Sequence, residues 1–339
     1  MRVSRWFVAL AALTVIGAGA FAQSPAEFYK GKTVDMMIGY SVGGGYDVYA
    51  RLISRHLGHH IPGGPQVTPK NMEGAGSLRL ANWLYNVAGK QGTVMGTIGR
   101  GTGFDPLFGN KAAKFDGNKF NWIGSANDEV SVCVVWNGRT KVTKFDDLLT
   151  MPINVGGTGA AADTDQFPRV INGVLGTQMK IITGYPGGND VNLAMERGEV
   201  DGRCGWSWSS VISTRASWLK ENKITILMQL SLEKHPDLPN VPLITDLAKT
   251  DEQRAILRLI FARQALGRPF LAPPDVPEDR VAALRQGFMA TMKDKEFLAE
   301  AEKAKLEVTP ISGEAVQKLV DEIYQTPPAV VKKAADLLR

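Results

Sequence analysis

Twice along this chain a short β-forming run ends in a cluster of glycines and opens a helix. Residues 33–40 lead into Gly43-Gly44-Gly45, and residues 152–155 lead into Gly156-Gly157-Thr158-Gly159. A glycine turn between a strand and a helix is the local pattern of parallel α/β sheets, where such turns lie at the carboxyl edge. After the first turn, a helix over 47–57 puts Tyr49, Leu52, Ile53 and Leu57 on one face. A strand at 65–69, a helix at 77–87 and strands at 93–98, 121–125 and 130–136 follow. After the second turn come a helix at 163–175, a strand at 180–184, a helix at 189–197, a strand at 200–204, a helix at 209–221 and a strand at 224–230. A proline-rich loop, a strand from Ala262 to Leu271 and helices at 278–292, 296–305 and 313–324 complete the chain. Two such series predict an α/β protein of two doubly wound lobes. Lobe one takes residues 26–126 with 258–339, and lobe two takes 127–257. The chain then crosses between them near 125–130 and near 257–263, forming a hinge.

The first 22 residues carry Arg2 and Arg5, an apolar run from Trp6 to Ile16, and small residues ending Ala20-Phe21-Ala22. That order reads as a cleavable export signal, with cleavage near Ala22 and an apolar stretch too short to span a bilayer. No later stretch is long and apolar enough to cross a membrane, so the expectation is an exported monomer that does not span one. The formal charge of +5 includes Arg2 and Arg5, and the basic residues are mixed among acidic ones. No Lys/Arg block marks a nucleic-acid surface.

Cys133 and Cys204 are the two cysteines. Cys133 falls in a strand-like run where a buried free thiol is the plainer reading, although an oxidising compartment permits a bridge. The histidines His56, His59, His60 and His235 form no cluster with metal-ligand spacing, so no metal or other cofactor is expected.

Ligands of open α/β sheets sit beyond the carboxyl ends of the strands. On lobe one that edge carries Tyr40, Ser41, Gly43, Gly44, Gly45, Tyr46 and Asp47, then Arg100 and Thr102, then Asn127. On lobe two it carries Gly157, Thr158, Gly159 and Asp163, then Tyr185, then Trp206. Both first turns precede a helix, so two N-termini with unpaired N–H groups and partial positive charge would face one cleft. That suits a carboxylate gripped from both sides. Several of these residues have ordinary alternatives. Asp47 and Asp163 can cap helices, Arg51 can pair with Asp47 four positions back, and Arg100 can be a loop charge. Trp206 and Trp208 alternate along one strand end, so only one of them can face the cleft.

With these residues in view, the chain resembles the substrate-binding proteins of tripartite tricarboxylate transporters, the Bug family of periplasmic receptors. Gly43-Gly44-Gly45-Tyr46-Asp47-Val48-Tyr49-Ala50-Arg51 is similar to the family's P-G-G-x-x-D-x-x-A-R, and Asn71-Met72-Glu73-Gly74-Ala75-Gly76 to its N-x-x-G-A-G. Gly184-Tyr185-Pro186-Gly187-Gly188 with Gly198-Glu199-Val200-Asp201 resembles its Y-x-G and G-x-V-D, and Leu238-Pro239-Asn240-Val241-Pro242 its L-P-x-V-P. The lead of Phe28-Tyr29-Lys30-Gly31-Lys32 into the first strand is similar too. The resemblance covers the mature chain. It implies a type II-like periplasmic binding protein that captures a small carboxylated solute, a di- or tricarboxylate or an aromatic acid. It also implies delivery to the membrane permease of such a transporter. Gly43 stands where the family has proline, and Ile38-Gly39-Tyr40-Ser41 departs from its usual lead. These departures fall at the pocket.

Two other readings come from the residues. A receptor with the same pocket could report to a sensor kinase. Gly39-Tyr40-Ser41-Val42-Gly43 also spells G-x-S-x-G, the nucleophile elbow of α/β-hydrolases. A triad needs a later Asp or Glu and then a His, and His235 in a proline-rich loop is the only distant histidine. The sequence therefore favours Ser41 as a hydrogen-bond donor rather than a nucleophile, and a protein that is not an enzyme.

Overall fold

Two mixed sheets organise the molecule, and a computed structural model describes residues 23–338 of it. The export-signal expectation for residues 1–22 lies outside the described residues. The strands in chain order are β1 (Thr33–Ile38), β2 (Gln66–Asn71), β3 (Val94–Thr97), β4 (Asn121–Ser125), β5 (Ser131–Trp136), β6 (Ile153–Gly156), β7 (Met179–Ile182), β8 (Gly202–Ser207), β9 (Ile224–Leu230), β10 (Pro269–Ala272) and β11 (Ile311–Ser312). The first sheet runs β11-β4-β10-β3-β1-β2 and the second β7-β6-β8-β5-β9. β1 pairs parallel with β2 and β3, while β10 enters antiparallel between β3 and β4. In the second sheet β6 pairs parallel with β7 and β8, and β5 runs antiparallel between β8 and β9.

Burial explains why these runs became strands and helices. Val34, Met36 and Ile38 on β1 are fully buried, as are Ile53 and Leu57 on the expected face of the helix Gly45–His60. At about 25 cal/mol per Å² of apolar surface, burying each such side chain stabilises by about 1.5–3 kcal/mol. A second apolar cluster, with Val132, Val134, Trp206, Trp208 and Trp218, covers one face of the second sheet. The largest cluster is continuous between the sheets, from Leu84 and Trp122 through Phe104 to Phe167, Ile171 and Phe261.

The chain crosses between sheets after β4 and again before β10. The two crossings lie side by side, with Ala126 N donating to Arg268 O at 3.0 Å and Glu129 N to Gln264 O at 2.9 Å. Paired in this way, each crossing restrains the other's backbone. The last helix, Pro328–Leu338, leaves the first sheet and packs on the helices Asp163–Leu175 and Asp251–Phe261 beside the second. Arg169 Nη1 anchors its end by donating to Leu338 O at 3.1 Å.

Several expectations need correction. The strand expected from Ala262 to Leu271 is a 3-10 turn over Ala262–Ala265 followed by the short β10. The turn places Arg263 and Gln264 in the seam between the sheets, and only the residues after Gly267 can pair with both β3 and β4. The strand expected at 200–204 begins at Gly202, because Gly198, at φ 80°, ends the preceding helix and the next residues are spent on that turn. A helix over Asp251–Phe261 was not expected, although Thr250 and Gln253 cap each other's backbone in an S/T-x-x-E/Q box.

Cys133 and Cys204 are joined as a disulfide between neighbouring strands β5 and β8, against the free-thiol reading. Antiparallel register sets the two residues opposite one another, a proximity that sequence spacing cannot reveal. The sequence separation is 71, and in the chain-entropy model a loop of that size stabilises by roughly 4 kcal/mol. Reductant should therefore lower the melting temperature of the parent by several degrees and leave a Cys133→Ala/Cys204→Ala protein unmoved. Equal melting of the parent before and after reduction, with thiol release confirmed, would overturn this.

Candidate functional site

The carboxyl ends of β1, β3, β6 and β8 converge on a cavity of about 50 Å³ between the sheets. Its walls include Tyr40, Gly44, Gly45, Tyr46 and Arg100 from the first side, with Arg268 at the second hinge crossing. Thr158, Ala162, Asp163, Thr164, Gly188, Arg203, Gly205, Ser207 and Ser210 complete them from the second.

Three helices begin at this cavity, with N-caps Gly44, Ala162 and Gly187, and none of these caps has a side-chain bond to its own helix. Their first-turn N–H groups and positive dipole ends therefore face the cavity, where an anion can satisfy both. A fourth helix, Trp208–Lys220, starts at the same wall, but Ser209 N already donates to Glu129 Oε1 at 3.3 Å.

Arginines reinforce the field. Arg100 Nε lies 3.2 Å from Asp163 Oδ2, its Nη1 donates to Gln264 Oε1 at 2.5 Å, and its Nη2 donates to Ser207 Oγ at 2.6 Å. Burial opposes its charge, yet Tyr46 and Asp163 hold its guanidinium above the usual arginine value. Arg268 pairs with Glu129 at 3.1 Å, donates to Ser209 and Ser210, and stacks on the rings of Tyr46 and Tyr49. Arg263 reaches Asp163 at 3.5 Å from below. Arg203 is held differently. Its Nη1 donates to Gly188 O and Asn192 Oδ1, both at 3.0 Å, its face lies over Trp206, and burial pushes its pKa down to about 9, with Arg268 and Arg215 adding repulsion.

Of the residues expected at the cleft, Tyr40, Gly44, Gly45, Tyr46, Arg100, Thr158 and Asp163 line this cavity. The others take different places. Ser41 Oγ donates across the cleft to Asp190 Oδ2 at 2.6 Å. Asp47, 2% exposed, accepts from Gly43 N, Asn71 Nδ2 and Arg51 Nε, so it pins the glycine turn from behind. Gly43, at φ 84°, is the left-handed residue that lets the turn come back to Asp47. Thr102 is buried against Ser77 and Gly76 O, and Asn127 sits in the hinge with Glu129. Gly157 lies at the end of β6, bonding Ile182 and Tyr185 through its backbone, and Gly159 N donates to Asp165 Oδ2. Tyr185 turns away and donates to Glu199 at 3.2 Å. Neither Trp206 nor Trp208 reaches the cavity. Both are core: β8 points Arg203, Gly205 and Ser207 inward and the Trp206 ring toward Trp218, while Trp208, the first residue of the next helix, donates to Asp237.

Arg203, Ser210 and Arg268 were not expected at the cleft, while Ala162, Thr164, Gly188, Gly205 and Ser207 lie in strand-end loops expected there without being singled out. The alternation of Arg203, Gly205 and Ser207 on one strand carried part of that signal. Among the described residues no group of His, Cys, Asp and Glu is placed to hold a metal ion, and no histidine lines the cavity.

Two predictions follow from this geometry. A Cβ on Gly45 would collide with Ser210 Oγ and crowd Arg268, whereas on Gly44 it would meet nothing nearer than 3.9 Å. Gly45→Ala should cost about 1–3 kcal/mol of stability while Gly44→Ala stays within about 0.5 kcal/mol, as denaturant melts will read. The second concerns Asp105, which accepts from Gln166 Nε2 across the seam at 2.9 Å and whose pKa burial raises to about 7. Between its ordinary value and about 7 the folded state binds more protons than the unfolded one, so this group's contribution to stability falls as pH rises. Asp105→Asn should flatten the change in melting temperature between pH 4.5 and 8 relative to the parent. An unchanged slope would sink that account.

Neither the known family models nor the curated proteins contain a match to this sequence. Solved structures do match in fold. The periplasmic binding protein BugD superposes with a TM-score of 0.73 at 19% identity, over 90% of this chain and 98% of that one. MatC from Rhodopseudomonas palustris, with bound malate, gives 0.70 at 17% identity over 91% and 99%. A second R. palustris protein, with adipate, gives 0.70 at 16% identity over 91% and 97%. The fold of this chain is therefore the two-lobed α/β fold of periplasmic binding proteins.

Proposed function

We propose that this chain is a periplasmic solute receptor that closes two lobes on a small carboxylated solute and passes it to a permease of the tripartite tricarboxylate type. The observation that carries this reading is the meeting of three helix N-termini, none closed by its own cap side chain, with buried arginines in one interlobe cavity. Such a cavity offers many donors and little negative charge, which favours an anion. Malate in MatC and adipate in the second neighbour fit the same chemistry. Function follows from population shift. The ligand touches both lobes only when they are closed, so its binding energy favours that state. Lobe one is taken as 26–126 with 258–339 and lobe two as 127–257, apart from the last helix, which packs on the second.

Catalysis has little support here. Ser41 gives its hydrogen bond to a carboxylate, and no histidine is among the lining residues. Ser41 instead acts as a latch between lobes. Its bond to Asp190 belongs to the class worth about 1.5 kcal/mol or more when one partner is charged.

A melting-temperature screen of mono-, di- and tricarboxylic and aromatic acids, with neutral sugars and amines as controls, tests the reading. Acids should stabilise in proportion to RT ln(1 + [L]/Kd), and Ser41→Ala should weaken the best of them by about tenfold. Stabilisation by sugars or cations alone would defeat the carboxylate reading. Esterase turnover that vanishes in Ser41→Ala would replace the receptor with a hydrolase.

A further inference from the structure

Three arginines line the cavity, and the fold supplies acids for two of them. Arg100 and Arg263 share Asp163, and Arg268 has Glu129. Arg203 is only 9% exposed, and among the described residues no carboxylate lies within ion-pair distance of it. Its Nη1 is spent on Gly188 O and Asn192 Oδ1, but its Nε has no hydrogen-bond partner, and the side chain lines the cavity. The face of Trp206, 4.8 Å behind it, eases the charge without neutralising it. A buried charge without a partner is costly, and a pocket wall is where such a cost has a use.

The balance of charge says what that use is. Of the side chains that line the cavity, three are guanidinium groups, Arg100, Arg203 and Arg268, and one is a carboxylate, Asp163, which leaves the wall an excess of two positive charges. One carboxylate from a ligand, held at the three helix N-termini, removes half of that excess. A second anionic group removes the rest, and Arg203 is, among the arginines that line the cavity, the one with no carboxylate partner among the described residues. We propose that Arg203 is a specificity-determining residue that counts charge, binding a second anionic group so that the site selects dianionic solutes over monoanions of the same size. This rests on the carboxylate-receptor reading above.

The test uses malonate, succinate, glutarate, adipate, phthalate and citrate, each beside a mono- or partial amide of the same skeleton. Titration calorimetry runs at pH 8, where the acids are fully ionised, on the exported protein. In the parent, the best-bound acid should exceed its amide by about tenfold or more. Arg203→Gln should erase that preference by weakening the acid and leaving the amide nearly unchanged. Arg203→Lys should keep part of it, since a point charge remains without the planar fork. The empty Arg203→Gln protein should melt no lower than the parent, because an uncompensated buried charge has gone. A purely structural arginine would lower it. Equal binding of acid and amide by the parent, equal weakening of both by Arg203→Gln, or a lysine variant as indifferent as the glutamine one would overturn the proposal. If monocarboxylates bind and none of these polyacids do, the receptor reading stands and this assignment falls. If no acid of any kind binds, both fall.

Discussion

Asp163 decides whether the two sides of the cleft can meet. It sits at the first turn of a helix on the second side, and Arg100, from the loop after β3, reaches it at 3.2 Å from the first. Arg263 approaches the same carboxylate from the hinge crossing at 3.5 Å. All three are buried or nearly so. A buried pair of this kind adds little net stability over apolar packing, yet losing one partner costs about 3–5 kcal/mol because a charge is stranded. The interaction therefore works as a requirement of register more than as a source of energy. With Asp163 in place, Arg100 is free to brace Ser207 and Gln264, and the cavity walls acquire fixed positions. Arg268 with Glu129 repeats the device at the hinge, where Glu129 also accepts from Ser209 N and Oγ.

The short motifs that resemble the Bug family acquire physical reasons in this arrangement. Asp47 and Arg51, one helical turn apart, form one network with the more distant Asn71 behind the first glycine turn. Arg51 Nη2 donates to Asn71 Oδ1 at 2.7 Å, and Asn71 Nδ2 donates to Tyr40 O at 2.8 Å and to Asp47 at 2.9 Å. The network fixes the turn from the side away from the ligand, which is what preorganised N–H donors need. Gly76 and Gly159, from opposite lobes, meet where a Cβ on either would collide with the other's loop. Loops that must touch when the cleft closes have no room for side chains there.

Much of this was legible in the sequence. The helices Asp163–Leu175 and Gly313–Tyr324 and the strands β4 and β9 fall where periodicity placed them, because each is a strongly patterned run between clear breakers. The cleft-edge loops were legible too, since strand ends and glycine turns announce the carboxyl edge. What could not be read was which side chains turn inward from those loops. Asp47 and Arg51 satisfy each other locally, and a helical spacing of four already allowed for that. Arg268 and Glu129 are brought together only by the pairing of two crossings, a contact no local pattern encodes. Trp206 was read as an aromatic wall because aromatic rings suggest contact surface. On β8 the strand's alternation gives the cavity to its small and charged residues and the core to its rings.

On the receptor reading proposed above, these features set a balance between open and closed forms. On that reading closure gains Ser41–Asp190, Gln166–Asp105 and Arg100–Ser207, bonds to ionisable groups whose net worth is about 1.5 kcal/mol apiece or more after the lost hydration is counted. Against that, Arg268 and Arg203 repel one another at the cavity wall, and the charge of Arg268 lowers the pKa of Arg203. An anion placed between them reverses the sign of that term, turning the repulsion of two guanidinium groups into attraction for one shared partner. On the receptor reading, the same buried arginines that disfavour the empty closed cleft would favour the filled one. Coupling of this sort needs no moving part beyond the paired hinge, and its strength scales with ligand charge rather than with ligand size.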